Sequence, residues 1–541
     1  MVENYETKVG PMVSVLVPTF NRPRYLSEAL SSVVHQDYSN LEIFVINDGG
    51  EDVSNVVNSF NDPRIIFVNR KENRGLPYTL NEALMRAQGK YACYLGDDDM
   101  YYPHHVSTLV NALENKDDCQ VAYSDWYKVY CKIMPDGSRQ VLSKVVEVSR
   151  DFDRFFMLYF NHVLGGNLMH RRDLLEKTGL YNEQLNILID WDMTRRLAFF
   201  SDFHHVCDIT GEFYSPLGES DRISVQRRKD KNEYARNVLT IRTTRPAKPW
   251  AKMEDMSIIF VTDSLNQQAG ETLGLIWRHT FYPYKVYLPL PHADFSRIDT
   301  DMPNITLVPV DPVSSHARKI DAALARCEGE YVVIVPGGFP IEEMWVEDPL
   351  YALINSSVGR QGFELPRSSE GPGWAAVVGK RDLQYARSSF PGLPVRESLK
   401  AAGIVLRDLR PEEIPFQFDS LLKEAQMAEK DGNWAKASEM FEYIADHHQN
   451  ELWMKTLAAK AFYKAGDLTK ASKLSSEVNQ QRPTVNTLLL EAKVLREEKD
   501  FSLAIELLKR AEQILEGTIL RQVARWEPAN EENYYGHKTR K

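Results

Sequence analysis

Three consecutive aspartates, Asp97, Asp98 and Asp99, follow directly on an apolar strand in the stretch GKYACYLGDDDMYYP. Carboxylates this close repel one another unless a cation neutralises them. A hard divalent ion such as Mg²⁺ or Mn²⁺ does so, because it takes carboxylate oxygens and commonly holds substrate phosphates as well. The plainer alternative is a solvated acidic turn. Two further aspartates, Asp190 and Asp192, flank Trp191 at the start of a helical pattern in ILIDWDMTRR. Aspartate there can also serve only as an N-cap. Gly165 and Gly166, in HVLGGNLMHRR, permit close backbone approach to a ligand.

Alternating elements must position these groups. VSVLVP from Val13 is an apolar, β-branched strand, and Tyr25 to Val34 has helical spacing with Leu26, Ala29, Leu30 and Val33 on one face. LEIFVI from Leu41 and the segment from Arg64 to Val68 are further strands. A helix through Leu80, Ala83, Leu84 and Ala87 precedes the strand Tyr91 to Leu95. Strand and helix alternate, so the fold class is α/β with a mostly parallel sheet. In such sheets ligands sit beyond the carboxyl ends of the strands. Thr19, Asp48, Arg74 and Asp97 to Asp99 all fall at those ends.

VSVLVPTFNRPRYLSEALSSVVHQ, EIFVINDGG, ENRGLPYTLNEAL and GKYACYLGDDDMYYP together resemble family 2 glycosyltransferases of the GT-A fold, over roughly Val13 to Ser224. The resemblance implies a nucleotide-sugar donor, usually a UDP-sugar, a divalent cation (Mn²⁺ or Mg²⁺) and inversion at the anomeric carbon. By position it implies that Pro18, Thr19 and Asn21 line the nucleotide pocket, Asp48 bonds the base and Arg74 faces base or ribose. It assigns the metal to Asp99 first and Asp97 second. Asp97 or Asp98 then falls on the ribose or sugar, a division the sequence leaves open. One departure stands out: the common pattern has Asp where this chain has Gly96. Gly166 is implied to lie by the donor sugar. Asp190 is implied as the general base, with Asp192 second; a positioned carboxylate contributes on the order of 10²–10⁴-fold. LGESDRISVQRR from Leu217 resembles the family's mobile segment, with Arg222, Arg227 and Arg228 as phosphate donors in place of a histidine.

The chain also resembles itself. IDAALARCEGEYVVIVPGGFP matches LNEALMRAQGKYACYLGDDDM with an offset of 240, from Gly89 to Gly329. MSIIFVT from Met256 matches VSVLVPT from Val13 with an offset of 243. Residues 256–410 therefore read as a second GT-A-like unit following a catalytic domain over 1–245. Gly337, Gly338 and Phe339 stand where the three aspartates stand, and Pro291 where Asp48 stands, so this unit should hold no metal. Residues 416–517 show a 34-residue helical period from Gly432 to Gly466, with Ala437 and Ala471 at the same spacing. A third unit is one residue shorter. This period resembles tetratricopeptide repeats, which bind protein partners or mediate subunit contact, including homo-oligomers. Residues 518–541 form a polar tail, and Pro246, Pro249, Pro411 and Pro415 mark linkers.

Composition bounds the rest. The 541-residue chain has 65 Lys and Arg against 76 Asp and Glu, a formal charge of −11, which argues against a nucleic-acid surface. Five scattered cysteines offer no disulfide framework or zinc spacing and point to a reducing cytoplasm. No run of membrane-spanning length appears. The expectation is an inverting glycosyltransferase acting on a hydroxyl of a protein or a cell-surface glycan. The alternatives are a nucleotidyltransferase and a non-catalytic scaffold built on the repeats.

Overall fold

The computed structural model describes residues 10–146, 149–217, 230–298, 304–356, 359–365, 373–410, 417–447 and 452–523. Arg222, Arg227 and Arg228 lie outside these residues, as does the tail beyond 523. The chain divides into two compact units. The first comprises residues 1–153, 161–230 and 420–541, and the second residues 154–160 and 231–419.

The strands of the first unit are β1 (Val13–Thr19), β2 (Leu41–Asn47), β3 (Ile65–Asn69), β4 (Tyr91–Tyr94), β5 (Met100–Tyr101), β6 (Cys119–Ile133), β7 (Arg139–Val146), β8 (Leu168–Arg171) and β9 (Asp202–Pro216). Among the described residues they form one sheet in the order β3-β2-β1-β4-β8-β6-β9-β5, with β7 on β6. β1 runs parallel to β2 and β4, as does β2 to β3, and β8 returns antiparallel to β4. Crossover helices Pro23–Val34 and Leu76–Arg86 make this parallel arrangement possible. Val13, Val15 and Val17 of β1 pack with Leu26, Ala29, Leu30 and Val33, the stripe read from the sequence. The α/β class expected from the alternation is thus the class observed.

The second unit carries β10 (Met256–Val261), β11 (Tyr284–Leu290), β12 (Ile305–Pro309), β13 (Tyr331–Pro336), β14 (Gln361–Glu364), β15 (Ala376–Gly379) and β16 (Val405–Arg407). Its sheet order is β12-β11-β10-β13-β15-β14-β16 among the described residues. β10 to β13 are parallel and β15 is antiparallel to β13, so the first five positions repeat the first sheet. The registers repeat too. Val13 pairs with Leu41 and Tyr91; Met256 pairs with Tyr284 and Tyr331. A single polar contact is also duplicated: Gly89 N donates to Ser14 Oγ (3.1 Å), and Gly329 N to Ser257 Oγ (3.0 Å). A Cβ on either glycine would lie 2.7 or 2.8 Å from the backbone nitrogen of that serine.

The boundary of the first unit falls at Asp230, ahead of the Pro246–Pro249 linker expected from sequence. The helix Lys231–Thr243 joins the second unit, where it buries Ile241 and where Arg242 Nη1 donates to Arg278 O (2.9 Å). Residues 154–160 also belong there, with Phe155 stacked on Tyr282 and Tyr159 donating to Glu343 Oε1 (2.5 Å).

Six helices follow: Gln417–Lys430, Trp434–His447, Leu452–Ala465, Leu468–Gln481, Val485–Glu497 and Phe501–Val523. Three of their turns are built alike. Gly432, Gly466 and Lys499 take left-handed φ of 74°, 89° and 66°. Asn433, Asp467 and Asp500 then cap the next helix, each accepting from a backbone N–H three residues on. Ala437, Ala471 and Ala504 are buried behind these caps. The array belongs to the first unit, where Arg482 forms an ion pair with buried Asp125.

Candidate active site

The expected groups at the carboxyl ends of β1, β2 and β4 come together. Thr19 Oγ1 donates to Asp97 Oδ2 (2.8 Å), as does Phe20 N (3.3 Å). Arg22 Nη1 lies 3.2 Å from Asp97 Oδ1 and 3.0 Å from Asp98 Oδ2. Burial, and after it the Asp98 charge, push the Asp97 carboxyl up to about 6, against the pull of Arg22 and Thr19. Both oxygens of Asp97 therefore already have protein donors. Arg22 was not singled out from sequence; its place three residues past Thr19, facing an acidic strand end, was the available signal.

Asp98 and Asp99 differ from Asp97. A Cβ placed on Gly96 would lie 3.2 Å from Asp98 Oδ1 and 3.1 Å from Asp99 Oδ2. The two carboxylates thus converge over residue 96, and an aspartate there would crowd them. This gives a physical account of Gly96 where the family pattern has Asp. An all-oxygen pair of this kind suits a hard divalent cation. Asp99 Oδ1 also accepts from Tyr214 N on β9 (3.3 Å).

Asp48, just past the end of β2, is buried. It accepts from Arg74 N (2.9 Å) and Gly75 N (2.8 Å), and Arg70 Nη1 donates to it at 2.6 Å. These bonds fix the Asn73-Arg74-Gly75 turn, where Gly75 has φ 88°. The exposed Arg74 guanidinium lies over the Tyr78 ring at 3.5 Å. Asn21, at φ 58°, accepts from Glu51 N (2.7 Å) and braces the β1 and β2 turns together. Pro18 pairs with Ile46 in the sheet just before that turn.

Asp190 and Asp192 lie in the first turn of the helix Ile189–Leu197 and have different surroundings. Asp190 is half-buried, receives Asn161 Nδ2 at 3.0 Å and has its Cβ 3.5 Å from where a Gly165 Cβ would be. Asp192 is buried and paired with Arg196 at 2.6 Å, which also donates to Thr178 O. Trp126 links this segment to the aspartate strand. A Cβ on Gly166 would meet its ring at 2.5 Å, and one on Gly211 at 2.6 Å. Gly211 in turn pairs with Tyr101 of β5. Sequence reasoning did not name Trp126 or Asn161, because neither belongs to a recognisable motif.

The fold and this strand-end constellation define a family. The family profile described as "Glycosyl transferase family 2" matches residues 14–179. The chain is 36% identical over 194 residues to the glycosyl transferase WcaA of Escherichia coli, covering 35% of this chain and 67% of that protein. The chain belongs to glycosyl transferase family 2.

A glycosyltransferase of Rickettsia prowazekii is 31% identical over 194 residues, covering 34% of this chain and 58% of its own length. This chain thus spans little more than half of that relative. Among solved structures, residues 1–349 of S. aureus TarS overlap 43% of this chain and 64% of their own, at 18% identity and a TM-score of 0.33. Among the described residues no helix is long and apolar enough to cross a membrane.

Proposed function

We propose that this chain transfers a sugar from a nucleotide-sugar, a UDP-sugar, to an acceptor hydroxyl with inversion, using Mn²⁺ or Mg²⁺. The observation that carries the reading is the convergence of Asp98 and Asp99 over Gly96, at the strand end where Thr19 and Arg22 hold Asp97. Asp99 is the proposed metal ligand, with Asp98 beside it; Asp97 acts through Arg22 and the Thr19 turn. Bound there, a divalent cation supplies positive charge against the departing diphosphate.

The chain's own groups do the rest. Asp48 holds the Arg74 turn, so that the Arg74–Tyr78 stack presents a flat face to the base. Pro18, Thr19 and Asn21 form the rim of that pocket, and the Gly165-Gly166 backbone approaches the sugar. Asp190, oriented by Asn161, takes the proton from the acceptor hydroxyl as its oxygen attacks the anomeric carbon. Asp192 holds the helix that carries Asp190. Arg222 is the proposed phosphate donor from the segment after Leu217.

The acceptor we propose is a cell-surface glycan or protein reached in the cytosol. The name of WcaA refers to colanic acid biosynthesis, which favours the glycan. The repeated turns at Gly432, Gly466 and Lys499 support reading the helical array as tetratricopeptide-like and as a docking surface for acceptor or partner. The duplicated sheet order and the paired Gly89 and Gly329 contacts support reading the second sheet as a GT-A-like copy without chemistry.

The test is donor hydrolysis by the full chain against UDP-, GDP- and dTDP-sugars with Mn²⁺, Mg²⁺ or chelator. Asp99→Asn, which keeps an oxygen for Tyr214 N, should lower metal-dependent release of nucleoside diphosphate by roughly 10²–10³-fold. No metal-dependent binding or turnover of any donor would overturn the reading.

A further inference from the structure

A second group of ligating side chains lies on the first unit, formed by Asp151, His205 and Cys207. One ligand atom of each falls within 4.8 Å of the others. His205 Nδ1 is 2.8 Å from Asp151 Oδ1 and 3.7 Å from Cys207 Sγ. Tetrahedral zinc with bonds of about 2.3 Å to sulfur and 2.05 Å to nitrogen separates those two ligands by about 3.6 Å. The carboxylate contact is shorter because a proton, smaller than a metal ion, bridges it; entry of a cation requires Asp151 to withdraw by about half an ångström. Asp151 is 55% exposed at its side chain and Cys207 is exposed, so solvent reaches the group.

Two independent features prepare this group. The first is the backbone. β6 and β9 lose register at Asp125: Ser124 pairs with Val206, but Asp125 pairs with Ile209. The bulge inserts Cys207 and Asp208 without partners in β6, at a position two residues past His205, and thus sets the thiol beside the imidazole. The second is the support of the ring. His205 Nε2 lies 3.0 Å from Oδ1 of buried Asp125, and the imidazole stacks on Tyr123 at 4.8 Å. A carboxylate on one ring nitrogen fixes the tautomer and leaves the other nitrogen for a metal, the arrangement that orients ligating histidines generally. Asp125 is itself held by Ser149 and by Arg482 of the helical array.

We infer that Asp151, His205 and Cys207 form a zinc site with three protein ligands and a fourth position open to water. The thiolate and imidazole select a borderline-soft ion over the hard cation proposed at Asp99. Such an ion would tie the Asp151 segment to the β9 bulge, with Asp125 as a positioning residue for His205.

The test is titration of the purified full chain with Co²⁺ and then Zn²⁺. A thiolate-to-cobalt charge-transfer band should appear with one equivalent, vanish on adding zinc, and be absent from Cys207→Ala, a change at an exposed side chain. Zinc should slow alkylation of Cys207 at least tenfold. Asp125→Asn should weaken cobalt affinity by roughly 10–100-fold. Asp99→Asn should keep the band, because carboxylates give no thiolate transition; this separates the site from the donor-site metal. Absence of the band, or its persistence in Cys207→Ala, overturns the assignment.

Discussion

The two sheets begin alike and end differently. Each opens with four parallel strands in the same order, followed by an antiparallel neighbour, and each ties its central strand to a glycine through a serine hydroxyl. At the carboxyl ends they part. In the first, Thr19 donates to Asp97, and Arg22 spans two carboxylates. In the second, Thr262 donates to Ser264 O, and Gly338 N donates to Thr272 Oγ1. A Cβ on Gly338 would meet the side-chain amide of Gln268 at 2.6 Å, so the helix Gln267–His279 sends a neutral side chain against this strand end. In place of an aspartate run, the charge at the end of β10 is Asp263, paired with Lys319 at 2.8 Å; register and strand core keep a sheet folded when the acidic groups at its strand ends change.

That contrast can be broken or sharpened by substitution. The largest effect is expected at Asp190→Asn, which should slow transfer by roughly 10²–10⁴-fold with little change in melting temperature. Asp192→Asn should do the reverse in kind. It leaves Arg196 buried without its carboxylate and should cost about 3 kcal/mol in denaturant unfolding. If Asp192→Asn proved stable but inactive, the assignment of roles between the two aspartates would be inverted.

Gly89→Ala and Gly329→Ala test the shared frame. Each added methyl meets backbone that cannot easily withdraw, so each should destabilise its own unit by about 1–3 kcal/mol. Unequal losses, read by hydrogen exchange in each unit, would show that the duplicated contact is not equivalent. Gly337→Asp restores one carboxylate to the second sheet, where a Cβ would lie 3.3 Å from Thr262 Oγ1. It should add no metal binding, because no counterpart of Arg22, Asp98 or Asp99 accompanies it. The smallest effect is expected in the helical array. Lys499→Gly relieves a left-handed lysine at the turn where the other repeats have glycine, and should stabilise by about 1 kcal/mol.

Periodicity and motif spacing were enough to place the first four strands of the first sheet within a residue or two, because apolar runs and 3.6-residue stripes are local properties; β5 to β9 were not read from the sequence. The shared strand order of the two sheets had a sequence signal of the same kind: Gly89 and Gly329 hold matching positions in matching strings. The 34-residue period carried the helical repeats, although Lys499 in the third turn departs from the glycine that marked the other two.

The surroundings of each carboxylate within an acidic group were decided only in three dimensions. Asp97 differs from Asp98 and Asp99 because Thr19 Oγ1 and Phe20 N, nearly eighty positions away at the end of β1, both donate to it. Asp190 differs from Asp192 because one faces Gly165 and Asn161 while the other turns into the core against Arg196. The grouping of the helical array with the first sheet, through Arg482 and Asp125, has no sequence signature at all. Sequence determined which residues could ionise and which segments could pair. Tertiary packing decided which carboxylates lost their water and which partner each found, because burial and ion pairing depend on neighbours far apart along the chain.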